Sequence, residues 1–390
     1  MKSLRPINSI FDNSKLSILN KINFLFFISL LTVFLSCKKD PIEITPEEII
    51  WERYPLGNNE VGLMNSSSIN NQLNAYTSHL FFKNISLSSL NTNINTFRMG
   101  IYDGMGRLKF PISQNYYAFT DLNKVVIRSS YSTEKQSVEK IIDLKSLDGN
   151  FFRLIDIPYW QGECMAISEN NHLLVPYRAL KNNHEIPTPY FALVKIISPE
   201  ITDDQLGIES VKLINQDIFP GIVNVYKIQT FFNRFFLLIG SWTYRIDTNG
   251  HIDRISESAL NIFQLEHDLF AFAPNYNSGM VDFYKSSNQG ESWESLGEMS
   301  EGILAELQYV LIDNKVVGYM KGQIFELDIT DTNYSITELD NEGLGLADIT
   351  SISLNDDNMV FITSQCNSFT DTCGAYYKPL DTFFNKKKIK

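Results

Sequence analysis

The sequence predicts an all-β chain folded as a β-propeller, with seven blades of four antiparallel strands as the leading count and six or eight as alternatives. Two observations lead there. The first is composition: 27 Phe and 18 Tyr stand in short apolar runs, and Asn, Asp, Gly and Ser fill the gaps, a strand-and-turn pattern. The second is a repeat. A polar turn followed by an apolar strand recurs seven times, with strands at 80–82, 125–127, 173–175, 235–239, 269–272, 316–317 and 359–362. The first and last begin at 80 and 359 with six steps between them, a mean period of about 46. Blade repeats run to ~40–50 residues, and radial repetition protects the sheet edges. A pair of packed two-sheet sandwiches is the rival; it needs no regular unit of this length.

Each part of the unit has a local reason. The turns are polar and short, as in Asp313-Asn314-Lys315. The strand after each marker alternates apolar and polar residues, as in Thr243-Tyr244-Arg245-Ile246-Asp247 and Val281-Asp282-Phe283-Tyr284-Lys285. That is the period of a half-buried strand. A further strand follows Asn249-Gly250 at 251–255 and Asn288-Gln289-Gly290 at 292–296. Asn-Gly suits a two-residue hairpin because both central positions need φ > 0. The spacing is uneven: the step from 173 to 235 contains 199–207, with acids at Glu200, Asp203 and Asp204, read as a surface insertion.

One segment adds a resemblance. Ser286-Ser287-Asn288-Gln289-Gly290-Glu291-Ser292-Trp293 resembles the Asp-box of sialidase-like (BNR-type) propellers, with Asn288 in place of Asp and Ser292 in place of Thr. The physics is that of a hairpin tip: Asn288 bonds backbone amides across the turn, Gly290 takes φ > 0, and Trp293 packs under the blade. The motif covers eight residues and occurs once, so it implies architecture rather than chemistry.

The start of the chain gives an address. Lys2, Arg5, Lys15 and Lys21 precede an uncharged run at 24–36, the layout of a secretory leader. The run is shorter than the ~20 apolar residues that span a bilayer. Ser36-Cys37 resembles the lipobox of bacterial lipoproteins, although Phe34 and Leu35 are bulkier than its strictest form. The resemblance implies lipid on Cys37, removal of 1–36 and a cell-envelope location; an outer-membrane site is expected because Lys38 gives no inner-membrane retention signal of the Asp-after-Cys type. The expected division is 1–36 leader; 37–60 lipidated cysteine, tether and short helix; 61–390 propeller. The helix is expected from Thr45 as N-cap, Pro46 at N1 and Glu48 at N3, running through Arg53.

Charge excludes one class of partner. The whole chain carries −12, and the leader contributes +3, so residues 37–390 carry −15. Nucleic acid is therefore not an expected partner, since clustered Lys and Arg supply that affinity.

Catalytic patterns are weak. The sialidase resemblance would require three arginines gripping a carboxylate, yet the last arginine is Arg254, and Phe97-Arg98-Met99-Gly100 lacks the proline of the early family motif. Glycoside hydrolysis needs two carboxylates at a set separation. Asp143, Asp282 and Asp328 lie on expected strands, where solvent-facing alternation explains them. No His-Glu-x-x-His is present, and Asp247-Thr248-Asn249-Gly250-His251 lacks the full acidic spacing of a calcium loop, so it reads as a turn. No metal or cofactor is expected, and no catalytic residue is assigned. Cys366 and Cys373 flank six residues between two strands and read as a disulfide in an oxidising compartment, with two thiols as the alternative. Cys164 is expected to be a small buried core residue. Tyr159, Trp160 and Trp242 are the candidate binding aromatics, with inter-blade packing the competing explanation. The leading expectation is a lipid-anchored, non-catalytic module binding an envelope protein or glycan. The alternative is a carbohydrate-active enzyme, hydrolase or lyase, with carboxylates at the propeller funnel. Both rest on fold analogy.

Overall fold

The computed structural model describes residues 50–54, 63–69, 72–77, 80–85, 95–98, 109–113, 116–121, 123–129, 139–155, 157, 161–197, 206–214, 219, 224–330, 334–344, 348–355, 358–365 and 374–387. The chain divides into two compact units, Met1–Ile49 and Ile50–Lys390, and all described residues fall in the second. Cys37, the leader, Tyr159, Trp160, Cys366, Cys373 and most of the 199–207 insertion lie outside the described residues.

The Ile50–Lys390 unit is an all-β propeller of antiparallel sheets. Six sheets carry a four-stranded path. In chain order, the first is Leu63–Ile69, Gln72–Thr77, Leu80–Ile85 and Asn95–Arg98. The second, Tyr116–Asp121, Lys124–Ser129 and Glu139–Asp143, has three strands among the described residues. The third is built on His172–Lys181, Tyr190–Ile197 and Gly207–Ile214, with short Phe151–Leu154 and Ala166–Ile167 both pairing with His172–Lys181. The fourth runs from Val225–Phe231 to Ile252–Ser256, the fifth from Asn261–Leu265 to Glu294–Met299, and the sixth from Gln308–Ile312 to Tyr334–Glu338. The seventh combines Asp348–Leu354, Met359–Gln365 and Gly374–Pro379 with Glu52–Tyr54.

Six of the seven apolar runs fall on the second strand of their sheets. The run at 80–82 falls instead on the third strand of the first sheet. The equivalent strand there is Gln72–Thr77, whose polar sequence QLNAYT lacks the apolar run that marks the others. Two of the polar markers are two-residue turns with both residues at positive φ. Phe232 and Asn233 stand at φ 50° and 60° between paired Phe231 and Arg234, and Asp313 and Asn314 at 51° and 61° between paired Ile312 and Lys315. Asn and Asp tolerate that region best among non-glycine residues.

Burial explains the order within a sheet. In Asp268–Asn275 the run Leu269 to Ala273 is buried on both faces, whereas the outermost strand Glu294–Met299 is largely exposed and charged. A second strand is covered by neighbouring sheets on both sides, so its sequence becomes continuously apolar rather than alternating. Phe263, Phe270, Phe272, Phe283 and Tyr309 stack between the fifth and sixth sheets, with centroids 4.7–5.9 Å apart.

The seventh sheet contradicts one expectation. Residues 52–54 are not the end of a helix; they form a strand whose Glu52, Arg53 and Tyr54 pair with Tyr377, Tyr376 and Ala375. Thr45, Pro46 and Glu48, the start of the expected helix, lie outside the described residues; at 51–54 burial favours the strand. Trp51 is 2% exposed and Tyr54 1%. Trp51 donates from Nε1 to the Asp340 carbonyl at 3.3 Å, meets Phe383 edge-on at 5.9 Å and lies under the Lys378 ammonium at 5.8 Å. Lys378, fully buried, pairs with Asp340 at 3.0 Å. Sequence-distant ends of the unit thus complete one sheet, a closure that holds a ring of otherwise separate sheets.

Two four-residue helices, α1 (Leu144–Leu147) and α2 (Leu380–Phe383), interrupt the strands. Asp143 caps α1 by accepting from the Lys145 and Ser146 amides at 3.1 and 3.2 Å. No helix among the described residues is long and apolar enough to cross a membrane.

Candidate functional site

First strands of neighbouring sheets touch one another: Leu63–Ile69 against Asp348–Leu354, Asn261–Leu265 against Gln308–Ile312, and Gln308–Ile312 against Asp348–Leu354. They form the inner wall, and their polar side chains are stitched together across sheets. Ser66 bonds Ser351 and Ser353 at 2.8 and 2.9 Å. Gln229 donates to the Ile262 carbonyl at 2.8 Å, and Lys227 to Asn261 Oδ1 at 2.5 Å. Asn261 in turn donates to the carbonyls of Leu304 and Leu307. Lys109 donates to the Thr350 carbonyl at 2.8 Å and to Gln308 Oε1 at 3.4 Å. Buried polar groups persist when bonded, and a connected set fixes the relative placement of its elements.

The third sheet feeds this axis by an excursion. Its inner edge is split between Phe151–Leu154 and Ala166–Ile167, both facing His172–Lys181. The intervening chain carries Glu163, whose Oε1 accepts from Asn65 of the first sheet at 2.9 Å. Glu163 and Lys227 keep some contact with water yet lie deep among protein atoms. Burial raises the Glu163 carboxyl above the usual carboxylate range, while Lys109 and Asn65 pull it back. Burial, then the Lys109 charge, pushes the Lys227 amine down to about 7. Axis groups named here are one acid and two bases, so the carboxylate pair of a glycosidase is not formed by them.

Beside this excursion an open pocket of about 280 Å³ is lined by Arg153, Ile155, Gln161, Arg178, Asn224, Val225 and Tyr226. It joins the third and fourth sheets. Arg178 is 5% exposed; its Nη2 donates to Asn224 Oδ1 at 2.7 Å, and its Nη1 donates to the Pro187 carbonyl. Arg153, 52% exposed, donates to Glu185 Oε1 at 3.1 Å, and the same oxygen lies 3.7 Å from Arg178 Nε. Glu185 reaches them from a tight hairpin in which Asn182 and Asn183 take φ 54° and 62°. Burial lowers the proton affinity of Arg178, Glu185 opposes that, and the nearby Arg153 charge adds to it. Two guanidiniums, two amides and the partly exposed Tyr226 ring therefore face one cavity on a chain whose net charge is −12.

The sequence reading did not single out Arg153, Arg178, Lys109, Glu163 or Lys227. The signal for Arg178 was present: a charge inside Leu173-Leu174-Val175-Pro176-Tyr177-Arg178-Ala179-Leu180 stands out in an otherwise apolar strand. Gln161 directly follows the candidate aromatics Tyr159 and Trp160 in sequence, and these two lie outside the described residues. Trp242 is half-buried and packs on the large core of sheets two to four. Asp282 bonds Asn275 and Tyr284, and Asp328 is exposed. Asp247 closes a turn, accepting from the Asn249 and His251 amides at 2.8 and 2.9 Å. Cys164 is a buried thiol.

The 286–293 segment forms a hairpin tip. Asn288 Oδ1 accepts from the Ser292 amide at 3.0 Å and the Ser286 hydroxyl at 2.9 Å, and Asn288 Nδ2 donates to Ser292 Oγ at 2.9 Å. The Gly290 amide donates to Ser286 Oγ at 2.9 Å. Trp293 packs on the cluster that includes Phe236 and Leu269. Gly290 has φ +79°, and a Cβ there would stand 2.5 Å from Phe236 of the fourth sheet. Gly290→Ala is expected to destabilise the chain by about 1–3 kcal/mol through strain alone, and more through the clash. Urea unfolding checks this; an unchanged midpoint would mean the tip does not dock on the fourth sheet.

No protein-family model matches the chain, and no characterised relative matches its sequence. Similar solved structures include the extracellular domain of BT4673 from B. thetaiotaomicron, at 10% identity over 84% of this chain and 40% of that one, TM-score 0.48. Others are YCF48 bound to D1 peptide, at 10% identity over 86% and 99%, TM-score 0.47, and an ancestral GH74 enzyme, at 11% over 84% and 49%, TM-score 0.41. The chain spans 40% of the length of the first. The propeller assignment rests on the sheet topology itself.

Proposed function

We propose that this chain is a non-catalytic binding module of the cell envelope, tethered to a membrane by lipid on Cys37, that takes a glycan or protein partner at the Arg153–Tyr226 pocket. The observation that supports binding is the pocket lining: donors and an aromatic ring converge there, and no pair of carboxylates lines it among the described residues. Concave sites with a few convergent polar groups are the default location for ligands. The Asp-box-like tip supports a structural role for that segment, since Ser286, Asn288 and Ser292 bond one another and Arg234 of the fourth sheet donates to the Gln289 carbonyl.

A second reading has one observation in its favour. Glu163 holds its proton more tightly than usual and Lys227 less tightly, and such divergence is a mark of acid–base sites. It makes a carbohydrate-active enzyme the alternative.

A glycan array followed by turnover assays on the full chain carrying Cys37→Ser separates the two. Retention on the array without product release is expected. Product formation abolished by Glu163→Gln would establish the enzyme instead. Cys37→Ser is also expected to shift the protein from the membrane to the soluble fraction; continued retention refutes the lipid anchor.

A further inference from the structure

Resting on that binding reading, we propose that the pocket recognises an acidic sugar, a uronate-type ring whose carboxylate is held by Arg153 and Arg178, and that Glu185 is the internal carboxylate this ligand displaces.

Three features argue for it. First, two guanidiniums share one carboxylate oxygen. Glu185 Oε1 is 3.1 Å from Arg153 Nη2 and 3.7 Å from Arg178 Nε, the second contact being longer than a hydrogen bond. The pairing is thus monodentate, whereas Arg and carboxylate prefer two parallel bonds. Side chains of Arg153 and Glu185 are 52% and 37% exposed, and exposed pairs of this kind contribute little. Glu185 therefore sits where a carboxylate belongs without being firmly held.

Second, Arg178 is buried and its fork is fixed by Asn224 and the Pro187 carbonyl. It supplies a positioned charge at the pocket wall, and Arg153 supplies an exposed one at the mouth. Third, the rest of the lining suits a sugar. Asn224 and Gln161 offer amide groups for hydroxyls, and Tyr226, 38% exposed, offers a ring face. A carboxylate with adjacent hydroxyls and a flat apolar side uses all of these; an acidic peptide side chain uses only the guanidiniums.

The test is calorimetric titration of the full chain carrying Cys37→Ser with glucuronate, galacturonate and mannuronate oligosaccharides, each paired with its neutral counterpart bearing CH₂OH. A uronate is expected to bind at least about tenfold tighter than its neutral partner, the worth of one charge-assisted hydrogen bond. Arg153→Gln is expected to remove that preference. Glu185→Gln is expected to tighten uronate binding, by about threefold or more, because the competitor loses its charge. Both sites are partly exposed, so folding is not at stake. Equal binding of acid and neutral sugars, abolished by Tyr226→Ala, overturns the acidic-sugar inference and leaves the binding pocket standing. Weaker or unchanged uronate binding in Glu185→Gln overturns the displacement. Absence of binding by every saccharide in the panel overturns the inference, and the protein-partner form of the binding reading is then the one left to be tested by cross-linking at the pocket.

Discussion

Trp51→Ala is expected to lower the stability of the propeller by about 3–5 kcal/mol, the range for truncating a large buried aromatic. Trp51 leaves behind an edge-on partner in Phe383, a hydrogen bond to Asp340 and the face over which Lys378 lies. It also anchors Glu52–Tyr54 to the last strand of the seventh sheet. The loss should appear in urea unfolding as a lower midpoint. Tyr276→Ala, at a residue 85% exposed, should leave that midpoint in place. A loss below about 1 kcal/mol, the ordinary effect of an average substitution, would mean that the sheet is complete without its N-terminal strand.

The second large effect concerns pH. In an unfolded chain a lysine titrates near ~10.4; in the fold Lys227 releases its proton at about 7. Between those values the unfolded state holds a proton that the folded state has lost. Stability therefore rises with pH across that window, by up to about 1.4 kcal/mol per unit. Below it both states are protonated and the contribution is constant. Lys227→Met removes the titrating group, so its unfolding free energy should lack this rise. Subtracting the two profiles between pH 7 and 9 cancels groups common to both. Parallel profiles would show that the Lys227 amine is ordinary and that Asn261 and water hold its charge as well as bulk solvent does.

The sheets were legible because their physics is local. Two-residue turns at positive φ favour Asn and Asp, and second strands buried on both faces are continuously apolar, so six sheets announced themselves in the sequence. Gln72–Thr77 escaped because its sequence is polar, and Glu52–Tyr54 because its partner strand, Gly374–Pro379, is more than 300 residues away. Burial of Trp51 and Tyr54 sets the strand at that point of the chain. The site was less legible for the same reason. Arg153, Arg178 and Tyr226 come from two sheets, and Glu163 meets Asn65 across 98 positions. No spacing rule connects them; only charges inside apolar strands, such as Arg178, marked where to look. Trp242, prominent in sequence, is half-buried with part of its ring packed on the core.

Amide hydrogen exchange on the full chain carrying Cys37→Ser, with and without the saccharide it binds most tightly, tests the central claim most directly. Binding at the pocket predicts slowed exchange at Arg153, Gln161, Arg178 and Asn224 to Tyr226, with the 286–293 tip unchanged. Protection confined to the tip or to the outer strands, with none at those residues, would contradict it.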